Sequence, residues 1–278
     1  MKKHIFIYTG FALAFLVFLS VLLYPRVAKY VNARSQSRIV VQYLDKVSGM
    51  DEEEARVLLE AAREYNESLL EKAFRFEFTP EETARYKSLL DPGGGVMGIL
   101  EIGKIDVKLP IYHGTDESVL AAGIGHLPGS SLPVGGTGTH AVITGHRGLP
   151  SSKLLSSLDK IAEGDTFLLH VLGETLTYQV DDIKTVEPNE LRALDIDPDL
   201  DFCTLVTCTP YGVNTHRLLV RGQRVETLAS PDRATFRADA RRVERPLIIL
   251  LFLVPALPVL VIFFVLGYRK IRKGGVAS

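Results

Sequence analysis

Two uncharged apolar segments, one near each end of the 278-residue chain, constrain its architecture more than any other feature. They cover residues 5–24 and 247–266, and each is 20 residues long. A bilayer core of about 30 Å needs roughly 20 apolar residues in a helix, so both segments are long enough to span a membrane. Residues 25–246 between them are numerous enough to build a real core. The sequence therefore predicts a folded domain with a transmembrane helix at each end.

The first apolar segment begins after Lys2, Lys3 and His4, a basic start that is also typical of a cleaved signal peptide. Residues 22–26 contain no small-x-small cleavage site, which favours an uncleaved anchor over that alternative. The second segment precedes a basic tail, residues 267–278, which is typical of a cytoplasmic end. Basic residues also flank both segments on the domain side, and long domains cross membranes largely regardless of charge. Charge alone therefore leaves open which side of the membrane holds the domain.

The net charge and the cysteine content limit the classes of function. The net charge is −1, so nothing indicates a nucleic-acid partner. The two cysteines, Cys203 and Cys208, lie five residues apart in a strand-like run, which points their side chains to opposite faces. That geometry disfavours a disulfide between them. In an exported protein, cysteines that do not pair indicate a catalytic role for one of them.

Residues 26–90 are predicted to form a helical region ahead of the main domain. A polar helix is expected over residues 28–47, and a second helix begins near Asp51, which matches a capping box together with Glu54. Helical apolar spacing then continues at Ala55, Leu58, Ala62, Tyr65 and Leu69. We interpret this region as a helical pair that packs on the main domain, rather than as a binding helix.

From residue 98 onward, the apolar pattern changes to the period of two that is typical of strands. Strands are predicted over residues 98–102, 107–112, 140–145, 166–172, 175–186, 202–207 and 217–225. Turn residues, including 123–125, separate them, and one helix is expected at 151–161. Many short strands at this spacing indicate a closed or nearly closed barrel. Residues 226–246 are polar and are expected to link the barrel to the second apolar segment.

Cys208 ends a β-rich run, TLVTC, and Pro210 soon after it cannot donate to a strand ladder, so the strand is predicted to end at Cys208. A cysteine at a strand end beside a loop is well placed to meet a substrate. The alternative is a small buried apolar side chain, which describes most free cysteines. That alternative is our interpretation of Cys203, which shares a face with Leu205. Thr207 is a candidate for lining the site beside Cys208.

Two further residues stand at predicted strand ends. The chain returns from a short loop at Arg217, so Cys208 and Arg217 are expected at facing ends of neighbouring strands. A guanidinium there favours a thiolate and binds an oxyanion, although an isolated arginine is more often a surface residue. His146 follows an apolar strand and can shuttle a proton. His126 and His216 are further candidates for lining the site, and the sequence shows no metal-ligand spacing, phosphate loop or serine nucleophile elbow.

Three runs of the sequence resemble a known family. They are GVMGILEIGKIDVKLPIYHG, HAVITGHRGLP and TLVTCTPYGVNTHRLLVRG. Over about residues 91–225, the chain is similar to sortases, specifically to the class C sortases that polymerise pilins. The resemblance implies a mainly β fold, with the eight-stranded sortase barrel at residues 98–225. It also implies that Cys208, His146 and Arg217 are the catalytic residues.

Class C sortases carry a lid before the first strand, which places a lid here at residues 91–97. Asp91 and Pro92 match the family pattern, but glycines stand where the family has an aromatic residue. The resemblance implies that the Asp91 carboxylate faces the cysteine and arginine, so it is expected to pair with Arg217 or to hydrogen-bond near Cys208. Without the aromatic residue, we expect a weak and mainly electrostatic lid.

The resemblance also implies a reaction. The Cys208 thiolate attacks the threonine carbonyl of a Leu-Pro-x-Thr-Gly-like sorting signal, Arg217 supports the oxyanion, and His146 protonates the leaving glycine amine. A lysine amine of a pilin subunit then resolves the thioacyl enzyme, with no cofactor or metal. The implied setting is the surface of a Gram-positive cell, with a monomeric catalytic domain on the extracellular face of the membrane.

Three alternatives stay open at the level of sequence. Water instead of an amine would make the enzyme a cysteine hydrolase of the same signal. The enzyme could also attach finished fibres to the cell wall, rather than polymerise them. In a non-enzymatic anchored binding module, the three residues at strand ends would be a coincidence. Papain-like proteases fit poorly, because they place the cysteine before the histidine and on a helix.

Overall fold

The computed structural model describes residues 2–149 and 152–227 of the chain. The second apolar segment, the basic tail and almost all of the predicted linker lie outside the described residues. Residues 28–227 belong to one compact unit and residues 2–27 to another.

The first element, α1 (Lys2–Ser48), is one continuous helix that contains Pro25. By length and composition, its portion Ala14–Ser48 is apolar enough to cross a membrane. The polar helix predicted over residues 28–47 is therefore not a separate element but the continuation of α1. The chain offers no break there, because residues 26–48 contain neither glycine nor proline.

Two shorter helices follow α1. In α2 (Glu52–Leu70), the N-cap residue Asp51 makes no side-chain capping hydrogen bond, so the capping box predicted there is wrong. Three glutamates in the first turn of α2 supply the negative charge that a helix N-terminus favours. The sequence interpretation missed α3 (Pro80–Ser88), which does have a capping box. There Glu82 N–H donates to Thr79 Oγ1 at 3.2 Å, and Thr79 N–H donates to the Glu82 carboxylate at 2.8 Å.

Eight strands close into a barrel in the order β1-β2-β3-β4-β7-β8-β6-β5. They are β1 (Val96–Ile102), β2 (Val107–His113), β3 (Ile124–His126), β4 (Thr139–Gly145), β5 (Thr166–Val171), β6 (Glu174–Val186), β7 (Asp201–Thr209) and β8 (His216–Val225). A short helix, α4 (Glu117–Ala122), connects β2 to β3. Seven strands match the predicted ones, with ends that differ by at most two residues. The eight-stranded barrel implied by the resemblance is confirmed.

The strand β3 is the one that the sequence interpretation assigned to a turn. It has only three residues, too few to show an alternating pattern. It nevertheless pairs in parallel with β2 and antiparallel with β4. A β-carbon at Gly125 would collide with the carbonyl oxygen of Gly114, so glycine at this position permits a close approach of two backbone segments.

The helix predicted at residues 151–161 is wrong for the residues described there. From residue 152 onward, the chain forms turns and one 3-10 helix, Leu158–Lys160. Leu154 has a φ of 32°, which an α-helix does not accommodate. Leu154, Leu155 and Leu158 are all buried in the barrel core, so burial outweighs the local helical spacing.

Two buried polar side chains hold the helical region on the barrel. Tyr43 of α1 donates its hydroxyl proton to the Met97 carbonyl at 3.2 Å and accepts from Leu172 N–H at 2.9 Å. Asn66 of α2 donates to the Leu132 carbonyl at 3.1 Å and accepts from Leu132 N–H at 2.7 Å. Each such hydrogen bond contributes about 1 kcal/mol to stability. The helices α1 and α2 therefore pack on the barrel, as a helical pair was expected to do.

Candidate active site

Cys208 lies on β7, one residue before the strand ends. The strand continues to Thr209, which still pairs with β8, so it runs one residue further than predicted. Both cysteines are free thiols, and the Cys208 side chain is half-buried. Cys203 is fully buried in the barrel core, where burial raises the pKa of its thiol. This difference in burial agrees with the opposite faces predicted for the two side chains.

His146 directly follows β4, and the pairing of β4 with β7 places it beside Cys208. The two strands are parallel, with Thr144 opposite Val206. Continuing the same register by two residues brings His146 level with Cys208. Because neighbouring strands lie about 4.8 Å apart, the imidazole and the thiol belong to one site.

Thr207 holds this register where the two strands end. Its hydroxyl donates to the carbonyl oxygen of Gly145 at 2.7 Å, and its side chain is buried. The sequence suggested that Thr207 lines the site, but the buried side chain does not reach its open face. It instead fixes the residue before His146 against the residue before Cys208.

Arg217 lies directly opposite Cys208 in the antiparallel pairing of β7 with β8. Its Nη1 group donates to the carbonyl oxygens of Asn214, at 3.3 Å, and His216, at 3.2 Å. A guanidinium has five N–H donors, so further donors remain for a ligand. The three predicted catalytic side chains thus lie at three consecutive strands of the barrel, with His146 directly after β4, Cys208 on β7 in the middle and Arg217 on β8.

A carboxylate that the sequence interpretation missed lies next to the histidine. Glu117 is the first residue of α4, and its Oε1 atom lies 3.4 Å from His146 Nε2. The Nε2 atom is closed to solvent and has no hydrogen-bond partner among the described residues. No local signal could have found this contact, because Glu117 is an ordinary helical glutamate in the sequence.

Arg147 is a second residue that the sequence interpretation left unassigned, although it lies in the motif containing His146. Its guanidinium donates to Thr209 Oγ1 at 3.1 Å and pairs with the Asp159 carboxylate at 2.7 Å. It also lies 5.9 Å from the centre of the Tyr211 ring, in the loop after β7. Arg147 therefore ties the segment carrying His146 to the strand end that carries Cys208.

The other two candidate histidines, His126 and His216, lie in different environments. His126 is completely buried, with Nδ1 2.9 Å from the Tyr86 hydroxyl and Nε2 2.8 Å from the Ser131 carbonyl oxygen. The suggestion that it lines the site is wrong, since it reaches no open surface. His216 lies at the edge of the site, opposite Thr209, and its Nε2 is 3.3 Å from the Glu187 carboxylate.

The segment expected to act as a lid is stabilised by its own hydrogen bonds. Asp91 Oδ1 accepts from the N–H groups of Gly93, at 2.8 Å, and Gly95, at 3.0 Å, as an aspartate commonly does in a turn. The three glycines all have positive φ angles, and a β-carbon at Gly93 would collide with Lys46 Nζ of α1. Among the described residues, no ion pair joins Asp91 to Arg217. The expected pair is therefore absent, because the carboxylate is occupied by its own loop.

The arrangement has the parts of nucleophilic acyl transfer. A half-buried thiol lies between an imidazole and a guanidinium at the edge of the barrel, where a substrate can approach. Over residues 2–149 and 152–227, no group of three or more histidine, cysteine or carboxylate side chains could hold a metal ion.

Comparisons with known proteins agree with this site. A family model described as Sortase domain matches residues 100–225. Sortase C1 from Streptococcus agalactiae is 50% identical, with a TM-score of 0.65 over 69% of this chain and 100% of that chain. Sortase C from Streptococcus pneumoniae, a structure that addresses pilin substrate specificity, is 44% identical (TM-score 0.63, 69% and 99%). Sortase C from Clostridium perfringens, solved with the C-terminal cell wall sorting motif, is 41% identical (TM-score 0.59, 68% and 99%).

The buried histidines generate a prediction about acid stability. Burial lowers the pKa of His126 and of His140 from 6.5 to about 4. As the pH falls below 6.5, these side chains protonate in the unfolded chain but stay neutral in the folded protein until about pH 4. Each therefore lowers the free energy of unfolding by up to about 1.4 kcal/mol per pH unit in this window. Urea titrations at several pH values should show that the free energy of unfolding falls as the pH is lowered from 6.5 to 4. The fall per pH unit should be smaller for His126→Gln than for the wild type. An equal fall in both proteins would contradict the conclusion that His126 is buried in its neutral form.

Proposed function

The chain belongs to the sortase family and is a cysteine transpeptidase of class C, the pilin-polymerising class, and on this basis we propose that Cys208, His146 and Arg217 carry out its acyl transfer. The observation that carries the proposal is the strand order β4-β7-β8, which brings the three side chains to one edge of the barrel with the nucleophile between its partners.

In the first half-reaction, the Cys208 thiolate attacks the threonine carbonyl of a Leu-Pro-x-Thr-Gly-like sorting signal. The carbon–sulfur bond forms, and the bond from the carbonyl carbon to the glycine nitrogen then breaks. His146, which directly follows the neighbouring strand β4, donates a proton to the leaving amine. Arg217, opposite Cys208 on the other neighbouring strand, donates to the oxyanion. The Clostridium perfringens sortase C solved with a sorting motif supports this class of substrate.

In the second half-reaction, a lysine amine of a pilin subunit attacks the thioester. The new carbon–nitrogen bond replaces the carbon–sulfur bond, one proton of the amine passes to His146, and Cys208 is restored as a thiolate. The Streptococcus pneumoniae sortase C studied for pilin specificity supports a pilin as the partner. Hydrolysis of the thioester, and attachment of a finished fibre to the cell wall, differ from this reaction only in the group that accepts the acyl chain.

We also propose how the chain is arranged around the membrane. The helical region (26–90) and the lid (91–97) precede the catalytic barrel (98–225), and α1 anchors them. The barrel faces the extracellular side, where subunits with sorting signals are exposed. All three catalytic side chains come from one barrel, so a monomeric catalytic domain is sufficient for the reaction. The linker, the second span and the basic tail are still predicted at 226–246, 247–266 and 267–278.

The contacts that hold the lid segment in place differ from those that the sequence suggested. We propose that the part of the predicted lid that precedes β1, residues 91–95, is held by the turn around Asp91 and by the close approach of Lys46 to Gly93, rather than by the catalytic arginine. The hydrogen bonds from Gly93 and Gly95 to Asp91, and those from Arg217 to carbonyl oxygens of its own loop, support this proposal. Pro92, which is buried, stiffens the start of the turn.

The overall function is tested with the full chain in neutral detergent. It is incubated with a peptide that contains the Leu-Pro-x-Thr-Gly signal and with Nα-acetyl-lysine amide, and the products are identified by mass spectrometry. The expected product joins the threonine carbonyl to the lysine side chain. Release of hydrolysed peptide alone would favour the hydrolase, and an uncleaved peptide would contradict the proposal.

Cys208→Ala should abolish both cleavage and transfer in this assay, because it removes the nucleophile. Cys203→Ala is the matched control, since Cys203 is buried away from the site. That variant should keep most of the activity, although the small cavity should lower its free energy of unfolding by about 1 kcal/mol. Similar losses of activity in both variants, with folded circular dichroism spectra, would overturn the assignment.

Arg217→Lys should reduce the rate of cleavage by about 10²–10³, because an ammonium keeps the charge but loses the planar fork of donors. Arg221→Lys is the matched control on the same strand, where the guanidinium pairs with Asp181 at 2.7 Å. The control should stay within a few-fold of the wild type. If Arg217→Lys behaves like the control, Arg217 does not bind the oxyanion.

Substitution of Asp91 should leave the reactivity of Cys208 almost unchanged. The rate of alkylation of Cys208 by a small thiol reagent should stay within about twofold in Asp91→Ala, at low and at high salt, because the Asp91 carboxylate makes no pair with Arg217 that salt could screen. Asp91→Asn keeps a side-chain acceptor for the turn and serves as the control. A severalfold faster alkylation in both variants would show that the charge of Asp91 does close the site.

A further inference from the structure

The carboxylate of Glu117 occupies an unusual position beside the catalytic histidine. Its Oε1 atom lies 3.4 Å from His146 Nε2, an atom that is closed to solvent and has no hydrogen-bond partner among the described residues. The side chain of Glu117 is nevertheless 83% exposed. A charged group that is open to solvent thus lies directly against the proton-transferring group.

Glu117 is also uncommitted, unlike the carboxylates that pair with arginines on the neighbouring elements. Asp159 pairs with Arg147 at 2.7 Å, and Asp181 pairs with Arg221 at 2.7 Å. Within the described part of the chain, the structure gives Glu117 no partner besides His146. Its negative charge is therefore available to a cation that approaches the site from solvent.

The charges around Cys208 are distributed unequally between its two sides. Arg217 on β8 carries a permanent positive charge and is assigned to the oxyanion. On the other side, next to β4, the Glu117 carboxylate stands beside His146. On the arginine side, the exposed Glu187 carboxylate beside His216 offsets part of the charge of Arg217, so the stronger attraction for a cationic second substrate lies on the Glu117 side.

We propose that Glu117 recognises the ammonium group of the incoming lysine side chain and so directs the acceptor to the His146 side of the thioester. This inference rests on the proposed function, since it assigns the binding of that reaction's second substrate. Glu117 is a recognition residue in this scheme, and His146 remains the group that accepts a proton.

The lysine ammonium loses two protons when it becomes an amide nitrogen, and each proton has an acceptor. The lysine enters as an ammonium held by Glu117 and loses one proton to solvent, which leaves a neutral amine. The amine attacks the thioester carbonyl, and its second departing proton passes to His146, which is neutral after the first half-reaction. The carbon–sulfur bond breaks, and the enzyme returns with a Cys208 thiolate and a protonated His146.

The test compares a charged acceptor with a neutral one. The full chain in neutral detergent is supplied with the sorting-signal peptide and either Nα-acetyl-lysine amide, a cation at neutral pH, or hydroxylamine, which is uncharged there. The variant is Glu117→Gln. The matched control is Glu187→Gln, which removes an exposed carboxylate 3.3 Å from another histidine, His216, beside β8.

At low salt, Glu117→Gln should lower kcat/KM for the lysine acceptor about three- to fivefold, mainly through KM, as expected for an exposed charge pair. The loss should shrink at high salt. Transfer to hydroxylamine should stay within about twofold of wild type, because no acceptor charge is involved. Glu187→Gln should resemble the wild type with both acceptors.

Other outcomes would overturn the inference. Equal losses with lysine and with hydroxylamine would show that Glu117 only positions His146. Equal losses of kcat/KM for lysine in Glu117→Gln and Glu187→Gln would show a general effect of net charge. An unchanged kcat/KM for lysine in Glu117→Gln would show that Glu117 binds no acceptor. Failure of the proposed function itself looks different, because wild-type protein would then transfer the peptide to neither acceptor.

Discussion

The parallel pairing of β4 with β7 is the interaction on which the rest of the site depends. A slip of one residue in this pairing would turn every side chain of β7 to the opposite face, and would move Cys208 out of the site. Two cross-strand bonds prevent such a slip. Thr207 donates to the Gly145 carbonyl at 2.7 Å, and His140 Nε2 lies 2.7 Å from Thr204 Oγ1 further along the pair. Cys208 and His146 are thus aligned by hydrogen bonds that are themselves buried.

Two charged residues near His146 differ in how firmly they are held: Arg147 is fixed by buried contacts, and Glu117 is open to solvent. Arg147 is nearly buried, and its guanidinium donates to Thr209 and pairs with Asp159, which offsets part of the cost of its desolvation, while its Nε atom has no hydrogen-bond partner among the described residues. It holds the chain immediately after His146, so the imidazole is fixed between two anchored neighbours. Glu117, in contrast, is exposed, and among the residues that the structure describes it approaches only the imidazole. This difference suits an enzyme with two substrates, because the geometry of the first step is rigid while the second substrate can still enter.

The segment that we propose as a lid, residues 91–95, is confined because the chain is buried at both of its ends. Leu90 on one side and Val96 on the other are both in the core, and of the five residues between them only Pro92 is buried. The Asp91 turn uses glycines with positive φ angles, which other residues rarely adopt. A segment of this length has a short reach, so its position follows from the packing of α1 and β1 rather than from an electrostatic attraction to the catalytic groups.

Local patterns in the sequence determined a large part of this protein. Seven strands, the apolar N-terminal helix and the strand-end positions of Cys208, His146 and Arg217 follow from periodicity and turn residues, which act over a few neighbouring positions. Other features were decided only by tertiary structure. Four features depend on pairing and packing between distant segments: the three-residue strand β3, the turns that replace a helix after residue 152, the complete burial of His126, and the contact of Glu117 with His146. Such contacts leave no local periodicity, because the partner that fixes each of them lies elsewhere in the chain.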